Sequence, residues 1–111
     1  MEKEKPIYSV GSSLKDLISL SDEVKREVGY QLHRVQNGLE PENWKSFQEV
    51  DSGVKEIRIY DKDGAFRVMY VAKFSEKIYV LHTFQKKTQK TNQNNINIAK
   101  TRYKAINNET K

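Results

Sequence analysis

Apolar residues recur along this chain with two different periods, and the change from one to the other divides it. Leu14, Leu17 and Ile18 follow i, i+3, i+4 spacing behind Ser12 and Ser13, either of which can cap a short helix. Ser21 is a second capping residue, with Asp22 and Glu23 in the first turn where negative charge favours the helix dipole. Val24, Val28, Leu32 and Val35 then mark one face of a longer helix that stops near Asn37-Gly38, a pair suited to a left-handed helix ending. The first third therefore predicts an N-terminal helical hairpin, or a short helix followed by a longer one, behind a charged lead. Leu39 to Ser52 holds Pro41, Trp44 and Phe47 without a period and reads as a connection that sets aromatics on the core.

From Val54 the period shortens to two. Ile57 and Ile59 alternate with Glu56, Arg58 and Tyr60, and Asp61-Lys62-Asp63-Gly64 supplies a turn. Ala65 to Ala72 and Lys77 to Phe84 are rich in aromatic and β-branched residues, with Phe74-Ser75-Glu76 turning between them. Three strands joined by short turns predict an antiparallel meander. The middle strand is apolar on both sides, which places it inside the sheet. Lys86 to Asn95 is a polar run that reads as a loop, and Ile96, Ala99, Tyr103 and Ile106 line one face of a final helix. The order predicts an α+β fold: a helical hairpin packed on a small twisted antiparallel sheet, with a C-terminal helix, in a single domain spanning 1–111.

Composition narrows the chemistry. The chain has 111 residues and no cysteine, which excludes disulfide scaffolds, cysteine-held metal and thiol nucleophiles. No segment approaches the ~20 apolar residues of a membrane span, and the charged start has no signal-peptide stretch. A cytoplasmic protein is expected. The formal charge is +5 with a pI near 9.4, and its distribution says more than its sum. From His82 onward the basic residues are Lys86, Lys87, Lys90, Lys100, Arg102, Lys104 and Lys111, against the single acid Glu109. Positive charge gathered at one end is the footprint of a surface that meets phosphates.

Arg67 stands in the middle of an apolar strand and has two readings. It is either a structural arginine, at a sheet edge or in an ion pair with Glu56 or Asp61, or a planar fork aimed at a phosphate. Pairing through the Asp63-Gly64 turn makes Arg58 and Arg67 near neighbours. Two like charges so placed cost stability unless an anion sits between them, which favours the phosphate. Lys86 and Lys87, with Lys90 beyond, leave the third strand beside these arginines and either form a solvated turn or complete a phosphate cradle. His82 is either a hydrogen-bonded structural residue or a general acid or base. Glu56 is either a base or a salt-bridge partner. Nothing resembles a glycine-rich nucleotide loop or a nucleophile elbow, and the two histidines lack metal-ligand spacing, so neither a cofactor nor a metal is expected.

Three stretches resemble the RelE/ParE toxin superfamily, in particular its phage-derived, HigB-like branch. They are Gly53-Val54-Lys55-Glu56-Ile57-Arg58, Phe66-Arg67-Val68-Met69-Tyr70-Val71-Ala72, and Tyr79-Val80-Leu81-His82-Thr83-Phe84-Gln85-Lys86-Lys87-Thr88. Ser13 to Leu17, Gly29 to Leu32, Ala99 and Arg102 extend the likeness over nearly the whole chain. The resemblance implies a type II toxin, a ribosome-dependent endoribonuclease (mRNA interferase) that inhibits translation and is neutralised by a cognate antitoxin. In this branch that antitoxin is commonly a helix-turn-helix, HigA-like protein through which operator DNA is bound. The implied reaction is attack by a ribose 2′-OH on the adjacent phosphorus, without a metal. Arg67 and Lys87 would stabilise the transition state and His82 or Glu56 would assist proton transfer. Arg58 and Lys86 would hold the phosphate, and Lys90 and Arg102 would contact RNA. Glu56 departs from relatives that carry a lysine there. Tyr103 loosely matches a C-terminal aromatic used in some relatives, although its helical spacing fits core packing. Two other readings remain: a gyrase-poisoning inhibitor on the same fold, and a phage-derived nucleic-acid-binding module.

Overall fold

The computed structural model describes residues 4–74, 76–87 and 90–109. The lead residues Met1–Lys3, the expected turn residue Ser75, Thr88 and Gln89 of the polar run, and Lys111 lie outside the described residues. The elements in chain order are β1 (Ile7–Ser9), α1 (Ser13–Ile18), α2 (Asp22–Gln36), β2 (Trp44–Ser46), β3 (Val54–Asp61), β4 (Gly64–Val71), β5 (Ile78–Lys86) and α3 (Gln93–Glu109). They form an α+β fold around one five-stranded sheet in the order β1-β5-β4-β3-β2.

The meander and the two longer helices stand where periodicity put them, except that β5 runs on through Lys86 and α3 starts at Gln93, both inside the polar run expected to be a loop. Asp61 pairs with Gly64 across a two-residue turn, and β4 occupies the centre of the sheet. Ser21 caps α2 by accepting from Val24 N at 3.3 Å. Asn37-Gly38 ends that helix, Gly38 taking φ 82° while Leu39 N donates to Arg34 O at 2.9 Å.

Three expectations are corrected. The chain does not open on a helical hairpin, because the supposed lead contains β1 and the sheet therefore begins at Ile7. Nor is the sheet purely antiparallel: β1 runs parallel to β5, with Ile7, Tyr8 and Ser9 paired to Ile78, Tyr79 and Val80. The connection from Leu39 to Ser52 contains β2, antiparallel to β3 at the other edge. Three-residue strands are too short to show alternation. They are held by the partner's backbone, as when Ile78 N donates to Pro6 O at 2.9 Å and Val10 N to Val80 O at 2.9 Å.

The helices also divide between the two faces of the sheet. Val24, Val28, Leu32 and Val35 of α2 pack on Ile57, Ile59, Phe66, Val68, Tyr70, Ile78 and Val80. Ile96, Ala99, Tyr103 and Ile106 of α3 pack on the opposite face with Val54, Met69, Val71, Tyr79 and Leu81. Each apolar side chain so buried contributes about 1.5–3 kcal/mol. Tyr103 thus belongs to the core. α1 lies against β5 through buried Ser13, whose hydroxyl donates to Val80 O at 3.1 Å, while Leu14 and Ile18 stay exposed.

Candidate functional site

On the α3 side of the sheet, cross-strand neighbours form four rows. The first is Val54, Val71 and Tyr79; the second Glu56, Met69 and His82; the third Arg58, Arg67 and Phe84; the fourth Tyr60, Ala65 and Lys86. Polarity rises along the face, from an apolar row under α3 to charged rows near the β3–β4 turn. Arg58 and Arg67 are direct Cα partners, as the turn required. The rows stay in phase only because of a β-bulge. Val80 pairs with Tyr70 and His82 with Met69, so Leu81 has no Cα partner on β4, and both Leu81 and His82 turn toward α3.

The anion between the two arginines is internal. Glu56 is buried, and its Oε1 lies 3.5 Å from Arg67 Nε and 3.7 Å from Arg58 Nε. Arg67 is buried as well, with Nη1 donating to Phe66 O at 3.0 Å and Nη2 to Tyr60 Oη at 3.4 Å. The Tyr60 ring centroid lies 5.3 Å from its guanidinium carbon. Arg58 is partly exposed. It lines a cleft of about 440 Å³ together with Lys45, Glu49, Glu56, Lys86 and Lys90, over the apolar Phe47 and Ile96. Lys86 also borders a smaller notch of about 130 Å³ that it shares with Phe84, Gln85, Lys87, Asn92 and Asn95. One lysine thus separates a cationic cleft from an amide-lined notch.

His82 and Arg102 are engaged elsewhere. His82 is buried and stacks on Phe84 with ring centroids 4.8 Å apart. Its Nε2 bonds Asn95 Oδ1 at 2.7 Å and its Nδ1 lies 3.5 Å from Arg102 Nη1. An amide oxygen on one side and a guanidinium donor on the other fix the neutral tautomer with the proton on Nε2. Burial lowers the pKa of His82 below its ordinary 6.5, opposed by the Asn95 bond, reinforced by the charge of Arg102, and opposed again by Asp16. Arg102 donates to Leu81 O at 2.8 Å and to Ser12 Oγ at 2.9 Å. It lies so close over Gly11 that a Cβ there would stand 2.7 Å from its Nε.

Of the residues singled out in the sequence, the cleft brings together Glu56, Arg58, Lys86 and Lys90, with Arg67 packed behind Arg58 and Lys87 at the notch. His82 and Arg102 belong to the junction of α1, β5 and α3. The sequence reading missed Lys45, because β2 was not visible as a strand, and Thr91, whose Oγ1 donates to Glu56 Oε2 at 3.5 Å. Tyr60 carried a signal in its alternation with Ile59, but not its position over Arg67. Among the described residues no group of three His, Cys, Asp or Glu side chains could hold a metal ion, and no helix is long and apolar enough to cross a membrane.

Fold and site together define an α+β protein whose mixed sheet opens a cationic cleft on one face, lined by the outer arginine of an Arg–Glu–Arg group whose Glu56 and Arg67 are buried. The chain belongs to the family of phage-derived Gp49-like proteins (DUF891), whose model matches residues 15–104. The match runs from α1 into α3 and leaves β1 outside it. A search of curated proteins gave no match.

Proposed function

We propose that this protein is the toxin of a type II toxin–antitoxin pair and cleaves mRNA on the translating ribosome. The observation that carries the reading is the cleft itself. Four basic side chains, Lys45, Arg58, Lys86 and Lys90, surround a space large enough for a phosphodiester and its ribose. A purely structural arginine pair needs no such opening. Membership in a phage-derived family agrees with a mobile toxin gene.

In this reading Arg58 and Lys86 hold the scissile phosphate, and Lys87 at the adjoining notch takes the next one. Arg67 adds positive potential from behind Arg58. The ribose 2′-oxygen attacks the neighbouring phosphorus, a bond to that oxygen forms, and the bond to the 5′-oxygen breaks. The products are a 2′,3′-cyclic phosphate and a 5′-hydroxyl, the proton leaving the 2′-oxygen and another reaching the 5′-oxygen. Fixed cations beside the non-bridging oxygens stabilise the charge that builds up there, an effect worth about 3 kcal/mol for a single well-placed donor. With both ring nitrogens of His82 engaged and Glu56 held between the arginines, Glu49 is the other carboxylate lining the cleft. The cytoplasm, a helix-turn-helix antitoxin, and operator DNA bound through that antitoxin complete the proposal.

Inducing the protein and mapping new 5′ ends on translated mRNA tests it. Codon-phased cuts that disappear in Arg58→Ala and Lys86→Ala are expected. Intact mRNA accompanied by a DNA-damage response would instead indicate a gyrase poison, and RNA binding without cleavage on ribosomes a binding module.

A further inference from the structure

Glu56 borders the cleft yet is only 1% exposed, and a carboxylate buried to that degree requires compensation. Its compensation is Arg58 and Arg67, which in turn repel each other across the strands unless an anion stands between them. The contacts are loose on both sides. At 3.5 and 3.7 Å they exceed the roughly 2.7–2.9 Å of a charge-assisted hydrogen bond. The Nε–H groups of both arginines are buried without a hydrogen-bond partner. Glu56 offsets one of the pair's two positive charges while leaving donors unspent. Lys45 is its Cα partner across β2 and β3 and lines the same cleft.

We propose that Glu56 is a resident counter-anion: it holds the Arg58–Arg67 pair while the cleft is empty, and gives way to the phosphate of a bound polynucleotide. It then sets the affinity of the cleft and positions the arginines, and takes no part in bond making. The proposal rests on the phosphodiester reading above. An incoming phosphate brings the same charge together with oxygens that can meet Arg58, the arginine lining the cleft, once Glu56 has turned away. The released carboxylate turns toward Lys45, so no charge is left buried without a partner.

The test compares wild type, Glu56→Gln and Arg58→Gln for binding a fluorescent single-stranded RNA over a salt series. Glu56→Gln is expected to bind about tenfold tighter at low salt, with a steeper loss as salt rises, because one more protein cation is available to the phosphates. Inorganic phosphate is expected to raise the melting temperature of Glu56→Gln well above its effect on wild type, since it replaces the missing anion. That second readout holds even for a variant that folds poorly without phosphate. Unchanged or weaker binding by Glu56→Gln with cleavage abolished overturns the proposal in favour of proton transfer. Equal phosphate response in the two proteins overturns it as well. Loss of binding in Arg58→Gln without a gain in Glu56→Gln defeats this inference and spares the cleft. RNA binding indifferent to both substitutions defeats the cleft reading too.

Discussion

The two faces of the sheet are built from the same strands, yet one is closed and the other graded. Beneath α2, Ile57, Ile59, Phe66, Val68, Tyr70, Ile78 and Val80 meet the four valine and leucine positions of the helix, and apolar contact runs the length of the face. Two hydroxyls interrupt it, those of Thr83 (opposite Val68) and Tyr70, both buried without a hydrogen-bond partner. The Tyr70 pKa is pushed well above the usual value by burial and, secondarily, by the charge of Glu40. On the other side α3 begins at Gln93, and its first turn forms the rim of the cleft instead of covering it. Strand alternation gives every sheet two faces. What separates a core from a site is how far the covering helix reaches, and which side chains occupy the rows it does not cover.

The strongest way to break this contrast is on the closed face. Ile57 is fully buried, and Ile57→Ala should cost about 3 kcal/mol in urea unfolding through lost burial and the cavity left behind. A cost below about 1 kcal/mol would mean that the α2 face is not the stabilising one. The open face should behave in the opposite way. Arg58→Gln removes one of the two cations beside buried Glu56 but leaves Arg67 in place, so it should cost about 1–2 kcal/mol, less than Ile57→Ala. RNA affinity in the same variant should fall about tenfold, or about 1.4 kcal/mol, by fluorescence anisotropy.

A smaller effect should appear against pH. Because the folded protein holds His82 neutral, the unfolded chain binds more protons as pH drops below 6.5, and stability falls with it until the lowered folded pKa is passed. Above 6.5 this contribution is fully present. Melting temperatures of wild type should therefore decline on acidification more than those of His82→Asn, and parallel curves would remove His82 from the account. The smallest effect concerns the lid on Arg67. Tyr60→Phe removes a 3.4 Å hydrogen bond at an exposed ring and should cost a few tenths of a kcal/mol by chemical unfolding. A loss above about 1 kcal/mol would show Tyr60 to be a structural clamp.

The legible parts of the molecule are those where a repeated pattern met a fixed turn. Val24, Val28, Leu32 and Val35 could only be a helix face. The Asp61–Gly64 turn fixed the register so tightly that Arg58 and Arg67 could be paired from sequence. Face parity, however, says nothing about rotamers. It could not reveal that Glu56 turns in between the arginines and supplies the anion the pair needs. Nor could counting by twos along β5 place His82: starting from Tyr79 it puts His82 under α2, and the unpaired Leu81 moves it to the α3 side. Lys45 was hidden because β2 has no pattern apart from β3.

The parallel strand β1 lies outside the family match, and its consequence concerns self-association. β5 is apolar along most of its length, and a bare outer edge there would be a template for another chain's strand. That edge is covered from Ile78 to Leu81. β1 covers Ile78 to Val80, Val10 N and Ser13 Oγ both reach Val80 O, and Arg102 takes Leu81 O. What lies outermost over that stretch is a strand of three residues, too short to recruit a neighbour. Residues 6–13 thus shield the start of β5 from the addition of another chain's strand, and Arg102 is part of that guard.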